Sequence, residues 1–232
     1  MRFDEAAERL ARLPGRLAGT GDPAARPRPD GLPAGRLPPG PAALMPTVTD
    51  GRARPALRLG PLGEDRPAAV LVLVAPGPDG SAVVILTERA TYDGIHSGEV
   101  SFPGGKVDPS DADLEATALR EAAEEIGLDP LAAGVELIGR LELVRIPVSR
   151  FSITPVLAVA RRVPSLDASS AEVARILEAP LDAFLPGAPI EIVERLVGEW
   201  PLRYGGYGID GLHVWGATAR ILGQLGTLIA QG

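Results

Sequence analysis

Residues 104–128 read GGKVDPSDADLEATALREAAEEIGL, and this stretch decides how the rest of the chain is read. Two glycines come first, then a short acidic loop, then a run of helical composition that stops at Gly127. Ser110, with Asp113 three residues on, has the form of a capping box, and a glycine is the natural end of a helix. The spacing predicts a helix over roughly 111–126. With Glu121 set at zero, a turn of about 100° per residue puts Glu125 at about +40° and Glu124 at about −60°. Three carboxylates then share an arc of roughly 100°. Leu119, Ala122, Ala123 and Ile126 are expected to face a sheet.

Like charges at these spacings destabilise a bare helix by a few tenths of a kcal/mol. A divalent cation reverses that sign. Magnesium takes oxygen ligands, keeps several waters and is completed by substrate phosphates. A Glu-rich helix face is ordinarily only solvated. Here it is preceded by a strand ending at Phe102-Pro103 and by Gly104-Gly105, which let backbone approach a ligand closely. Arg120 sits at the edge of the acidic arc, placed to pair with a carboxylate and fix its rotamer.

Upstream, Ala68–Ala75 (AAVLVLVA) is a continuous apolar run suited to a strand buried on both faces. After the turn Gly77-Pro78-Asp79-Gly80, Val83–Thr87 is expected to pair with it as a hairpin, and Glu99–Phe102 reads as a short strand. Downstream, strands are expected near Val135–Leu143 and Thr154–Ala160. Helices are expected around Ala171–Leu177 and from about Trp215 to the C-terminus. Interleaved strands and helices indicate an α/β sandwich. Residues 3–13 read as a short helix with Phe3, Ala7, Leu10 and Leu13 near one face. Pro14 to Arg66 is rich in Pro, Gly, Ala and Arg and reads as an arm or linker without regular structure.

The 232 residues, 45% hydrophobic and 4% aromatic, suffice for one sizeable core filled by Leu, Val, Ile and Ala. A net charge of −7 argues against a nucleic-acid binder, since phosphate backbones are held by Lys and Arg. The absence of cysteine excludes disulfides and thiolate metal sites. The N-terminal MRFDEAAERLARL has no signal-peptide character, and no run approaches the roughly 20 apolar residues of a membrane span. A cytoplasmic protein without membrane or nucleic-acid partners is expected.

The acidic helix and its glycine turn resemble the Nudix hydrolase box, through Gly105, Arg120, Glu121, Glu124, Glu125 and Gly127. One residue more than usual separates Gly105 from Arg120, and Asp108 or Asp111 stands for the mid-loop Glu. The wider segment LTERATYDGIHSGEVSFPGGKVDPSDADLEATALREAAEEIGL resembles the coenzyme A pyrophosphatase subgroup. Thr87, Arg89, His96, Gly98, Glu99, Val100, Phe102 to Gly105 and Thr117 to Glu121 carry that likeness. It continues through 148–156, Glu172-Val173 and 214–220. Two departures stand out: Asp93-Gly94 replaces the subgroup's Leu-Arg, and Arg150 replaces its Gly.

The resemblance implies a Nudix α/β/α sandwich, a mixed sheet between helices, over residues 67–232, with residues 1–66 an N-terminal extension. It implies Mg²⁺ or Mn²⁺ held by Glu121, Glu125 and Glu124, with Glu124, Arg120 and Glu172 as catalytic candidates. Arg89, His96, Gly104 and Gly105 would meet the substrate, a small nucleotide such as coenzyme A, cut into phosphopantetheine and adenosine bisphosphate. ADP-ribose or another nucleoside diphosphate derivative is an alternative, and so is a catalytically silent ligand-binding module. A homodimer is the assembly it suggests. His213 reads as packing near Trp215.

Overall fold

The computed structural model describes residues 1–13, 17, 37–49, 65–90, 98–146, 149–168, 171–197 and 200–232. At its centre is a mixed sheet. Strand β2 (Arg66–Pro76) runs parallel to β8 (Phe151–Ala160) in register from Arg66↔Phe151 to Val74↔Val159. It runs antiparallel to β3 (Ala82–Arg89), but only from Val74↔Val84 to Pro76↔Ala82. The hairpin and its turn thus form as the Gly77–Gly80 turn signal predicts. Outward from β8 lie β6 (Val135–Arg140) and β7 (Val144–Ile146); outward from β3 lies β9 (Val173–Pro180).

Beyond their paired ends β2 and β3 diverge, and the gap holds two short strands. β4 (Val100–Ser101) pairs with β3, and β5 (Gly104–Lys106) pairs with β2. Phe102-Pro103 bridges them, and the Leu71 amide donates to the Pro103 carbonyl at 2.8 Å. The splay of the sheet puts two glycines at its centre.

Side chains alternate across β2. Val70, Val72 and Val74 face α1 (Phe3–Ala11) and α4 (Gly216–Gln231); Ala69, Leu71 and Leu73 face Ala118, Ala122 and Ile126 of α2 (Leu114–Ile126). This is the α/β architecture expected, a mixed sheet with helices on both faces. A second small sheet contains β1 (Thr47–Val48), β10 (Glu191–Val197) and β11 (Trp200–Ile209), with β12 (Leu212–Val214) paired to β11. A one-turn helix α3 (Pro130–Ala133) follows α2. Among the described residues no helix is long and apolar enough to cross a membrane.

Four details differ from the sequence reading. The helix α2 starts at Leu114, because Asp113 is its cap and accepts from the Ala116 amide at 2.8 Å; Ser110 instead donates to Asp108. Ala123 is exposed and does not face the sheet. Residues 173–180 form strand β9, not a helix. Ala, Arg, Leu and Glu favour helix in isolation, but β3 offers a complete partner ladder from Val83↔Pro180 to Arg89↔Val173. Finally, part of the Pro-rich arm is ordered: Leu37 and Leu44 are buried in the same core as Phe3 and Leu10, and β1 pairs with β11.

Candidate active site

Gly104 has φ +154°, and a Cβ there would lie 2.4 Å from the Ala69 carbonyl oxygen, so only glycine lets β5 lie this close to β2. A Cβ on Gly105 would lie 2.5 Å from Oε2 of Glu121. The Glu121 carboxylate therefore rests directly on the backbone of Gly105. One turn further along α2, Glu125 accepts from the Gly104 amide at 3.0 Å and is 8% exposed. The two glycines seat two carboxylates from successive turns.

Burial raises the pKa of Glu121, and the charges of Glu124 and Glu172 raise it further, against the pull of Arg120. Burial likewise pushes Glu125 up to about 7; the Gly104 N–H and Arg89 oppose the rise, while Glu121 and Glu172 add to it. Glu121, Glu125 and Glu172 thus share one electrostatic neighbourhood although they come from two elements. Positive charge is what such a group lacks.

Arg120 organises the other side. Its Nε and Nη2 donate to the two oxygens of Asp111 at 2.9 and 3.0 Å, and Nη2 also donates to the Lys106 carbonyl at 3.1 Å. Nη1 lies 3.0 Å from Glu121 Oε1 and 3.1 Å from Glu124 Oε2. Asp111, whose side chain is 4% exposed, also accepts from Thr117 Oγ1 at 2.8 Å. These donors, Arg120 first, hold its carboxyl far below the usual carboxylate range, and Arg120 is held fully charged in return. Of the two aspartates, Asp111 is the acid that fixes the arginine.

Across the splay, Arg89 closes β3. Its Nη2 is 3.7 Å from Glu172 Oε2, and its Nε is buried without a hydrogen-bond partner. The pairing of β3 with β9 brings them together: the Ala90 amide donates to the Glu172 carbonyl at 2.8 Å, and the register shifts between Glu88 and Arg89. His96 lies outside the described residues. His213 lies tilted against Tyr204, 6.1 Å between ring centroids, and pairs with Glu191 in the second sheet, at 3.1 Å through Nδ1.

The structure therefore brings Glu121, Glu125, Gly104 and Gly105 together, with Arg89 and Glu172 near enough to shift the Glu125 carboxyl. The expected convergence of Glu121, Glu124 and Glu125 on one point is not what it shows. Among the described residues, no three His, Asp or Glu side chains are grouped ready for a metal ion. Glu121 and Glu124 turn to the Arg120 guanidinium, whereas Glu125 turns to an amide. The chemistry still fits a hard divalent cation: the donors are all oxygen, and two of the carboxylates have raised pKa values. Sequence reading left Asp108 and Asp111 open as the mid-loop acid and missed the Arg89–Glu172 contact. That contact was hidden by taking β9 for a helix.

Residues 65–174 match the NUDIX domain family model. The chain is 39% identical over 165 residues to the uncharacterized Nudix hydrolase NudL of Salmonella paratyphi B, covering 69% of this chain and 81% of that protein. It is 38% identical over 170 residues to Nudix hydrolase 22, chloroplastic, of Arabidopsis thaliana, covering 71% of this chain but only 55% of the plant protein. The chain thus spans little more than half the length of the plant relatives it matches. Among solved structures, a Nudix hydrolase from M. smegmatis, RenU, aligns with a TM-score of 0.42 at 29% identity, covering 51% of this chain and 73% of that one.

Proposed function

The chain belongs to the Nudix hydrolase family, and from that membership we propose that it is a metal-dependent enzyme hydrolysing the pyrophosphate bond of a nucleoside diphosphate derivative, with coenzyme A or its thioesters as substrate. The observation that carries this reading is the seat of Glu121 on Gly105 beside Glu125 on the Gly104 amide. Two partly buried carboxylates over bare backbone form an acidic floor on which a diphosphate can lie only with cations between.

In this reading Glu121 and Glu125 hold Mg²⁺ or Mn²⁺, with Glu124 as a third oxygen donor. Such an ion, when bound, neutralises phosphate charge and lowers the pKa of water. The protein's own groups do the rest. Arg120, clamped by Asp111, sets the direction in which Glu121 and Glu124 point. Gly104 and Gly105 admit the diphosphate to the β5 backbone. Arg89 exchanges its long contact with Glu172 for a phosphate oxygen, a better partner for a guanidinium with an unused buried Nε–H. Glu124 accepts the proton of the attacking water; Glu172, largely exposed, is the second candidate for that role.

The test is a substrate panel of coenzyme A, acyl-coenzyme A and ADP-ribose with the wild type and Glu121→Gln. We expect coenzyme A to be preferred, and Glu121→Gln to lower kcat at least about 100-fold, the few kcal/mol attributed to one metal-held charge in a transition state, with no loss of thermal stability. Preference for ADP-ribose would move the substrate assignment, and unchanged activity of Glu121→Gln would displace the site.

A further inference from the structure

Strand β5 and the loop after it lie along α2 and touch it at successive points. The Gly104 amide donates to Glu125, Glu121 rests on Gly105, the Lys106 carbonyl accepts from Arg120, and Asp111 meets Thr117. Thr117, Glu121 and Glu125 follow one another at intervals of one helical turn, so they stand in one row on α2. The head of that row is a hydroxyl. Thr117 is fully buried and shares its hydroxyl proton between Asp111 Oδ2 at 2.8 Å and the Asp113 carbonyl at 3.2 Å. Asp111 Oδ2 also accepts from the Asp108 amide at 2.9 Å.

Arg120 divides its donors unequally. Its Nε and Nη2, one edge of the guanidinium, go to Asp111, whereas Glu121 and Glu124 share the single Nη1. A guanidinium edge meets a carboxylate through two parallel N–H donors, the strongest pairing that an arginine makes. Asp111 takes that pairing and the glutamates are left with the weaker one. Without Asp111 the same edge is free to turn onto Glu121 or Glu124 and neutralise it. Glutamates held by one nitrogen are oriented, yet they give up that contact readily.

Resting on the reading above, in which Glu121 and Glu124 serve a divalent cation, we propose that Asp111, pinned by Thr117, is a positioning residue that keeps Arg120 from closing on those carboxylates. It occupies the guanidinium edge and so reserves the two glutamates for the metal. Thr117 fixes the pose of Asp111, and through it that of Arg120.

The experiment measures Mn²⁺ binding without substrate, by electron paramagnetic resonance, for the wild type, Asp111→Asn, Arg120→Gln and the double variant. Urea unfolding of each reports the fold separately. Asp111→Asn removes the charge that holds the guanidinium edge and should weaken Mn²⁺ binding at least about fivefold, a coupling of the size seen between contacting residues. The double variant should bind Mn²⁺ as Arg120→Gln does, because no guanidinium is left to compete. A double variant as weak as Asp111→Asn, or equal affinity of Asp111→Asn and the wild type, overturns the inference. Thr117→Val and Thr117→Ser ask the same question without changing charge. The valine variant should lose affinity and the serine variant should regain it; a valine variant that binds like the wild type removes Thr117 from the device. Wild type that binds no Mn²⁺ and leaves coenzyme A and ADP-ribose uncut defeats the pyrophosphatase reading itself. Mn²⁺-dependent cleavage with affinity unchanged in Asp111→Asn defeats only the positioning role.

Discussion

Glu125 carries the clearest electrostatic consequence at the scale of single residues. Its folded-state pKa is raised to about 7 from an ordinary 4.5, by burial first. A raised carboxyl pKa means that the folded protein binds the proton more tightly than the unfolded chain. Its contribution to stability is therefore complete below about pH 4.5 and is lost as pH rises through about 7. In EDTA the melting temperature should fall across that window, and Glu125→Gln should remove most of the fall. Added Mn²⁺ should restore stability at pH 7.5 in the wild type and not in the variant, because a bound cation favours the ionised carboxylates. A flat pH profile identical in the two proteins would show that Glu125 is not held as described.

At the scale of elements, the glycine strand β5 and helix α2 act as one device, and their two glycines have different jobs. Gly104 is required by the backbone: with φ +154° and Ala69 oxygen 2.4 Å from a would-be Cβ, Gly104→Ala should cost about 2–4 kcal/mol of stability. At Gly105 the obstacle is the Glu121 carboxylate, a side chain able to move. Gly105→Ala should cost only about 1 kcal/mol but should reduce kcat at least tenfold, by displacing Glu121. Denaturant titration and kinetics of the pair distinguish the two roles; equal effects on both readouts would contradict the division.

The elements also show what the sequence made legible. Periodicity and the closing glycine marked the body of α2 and its stop at Gly127, and the Gly77–Gly80 turn marked the β2–β3 hairpin, because each is governed by neighbours in sequence. What is fixed by distant partners was not readable. β9 is made of residues that favour helix and becomes a strand only because β3 has a free side. The rotamers of Glu121 and Glu124 follow from where Arg120 is tied, and that depends on Asp111, buried by a loop whose length differs from the familiar box.

For the whole molecule, the apolar side chains of α1 and of Leu37 and Leu44 belong to the same core as the sheet. Phe3, Leu10 and Leu44 pack with Val72, Leu86 and Leu225, although the match to the family begins only at residue 65. Leu10 is fully buried. Leu10→Ala should destabilise the protein by about 3 kcal/mol, read from urea unfolding, without changing KM. A loss below about 1 kcal/mol would mean that α1 is only an appendage.

The central claim, that a cation-dependent site on Gly104-Gly105 cleaves a pyrophosphate bond, is tested most directly by mass spectrometry of the products formed from coenzyme A. With Mg²⁺ or Mn²⁺ the reaction should yield 4′-phosphopantetheine and adenosine 3′,5′-bisphosphate in equal amounts, and EDTA should abolish both. Coenzyme A, its thioesters and ADP-ribose all recovered intact with either metal, or the same products persisting in EDTA, would contradict it.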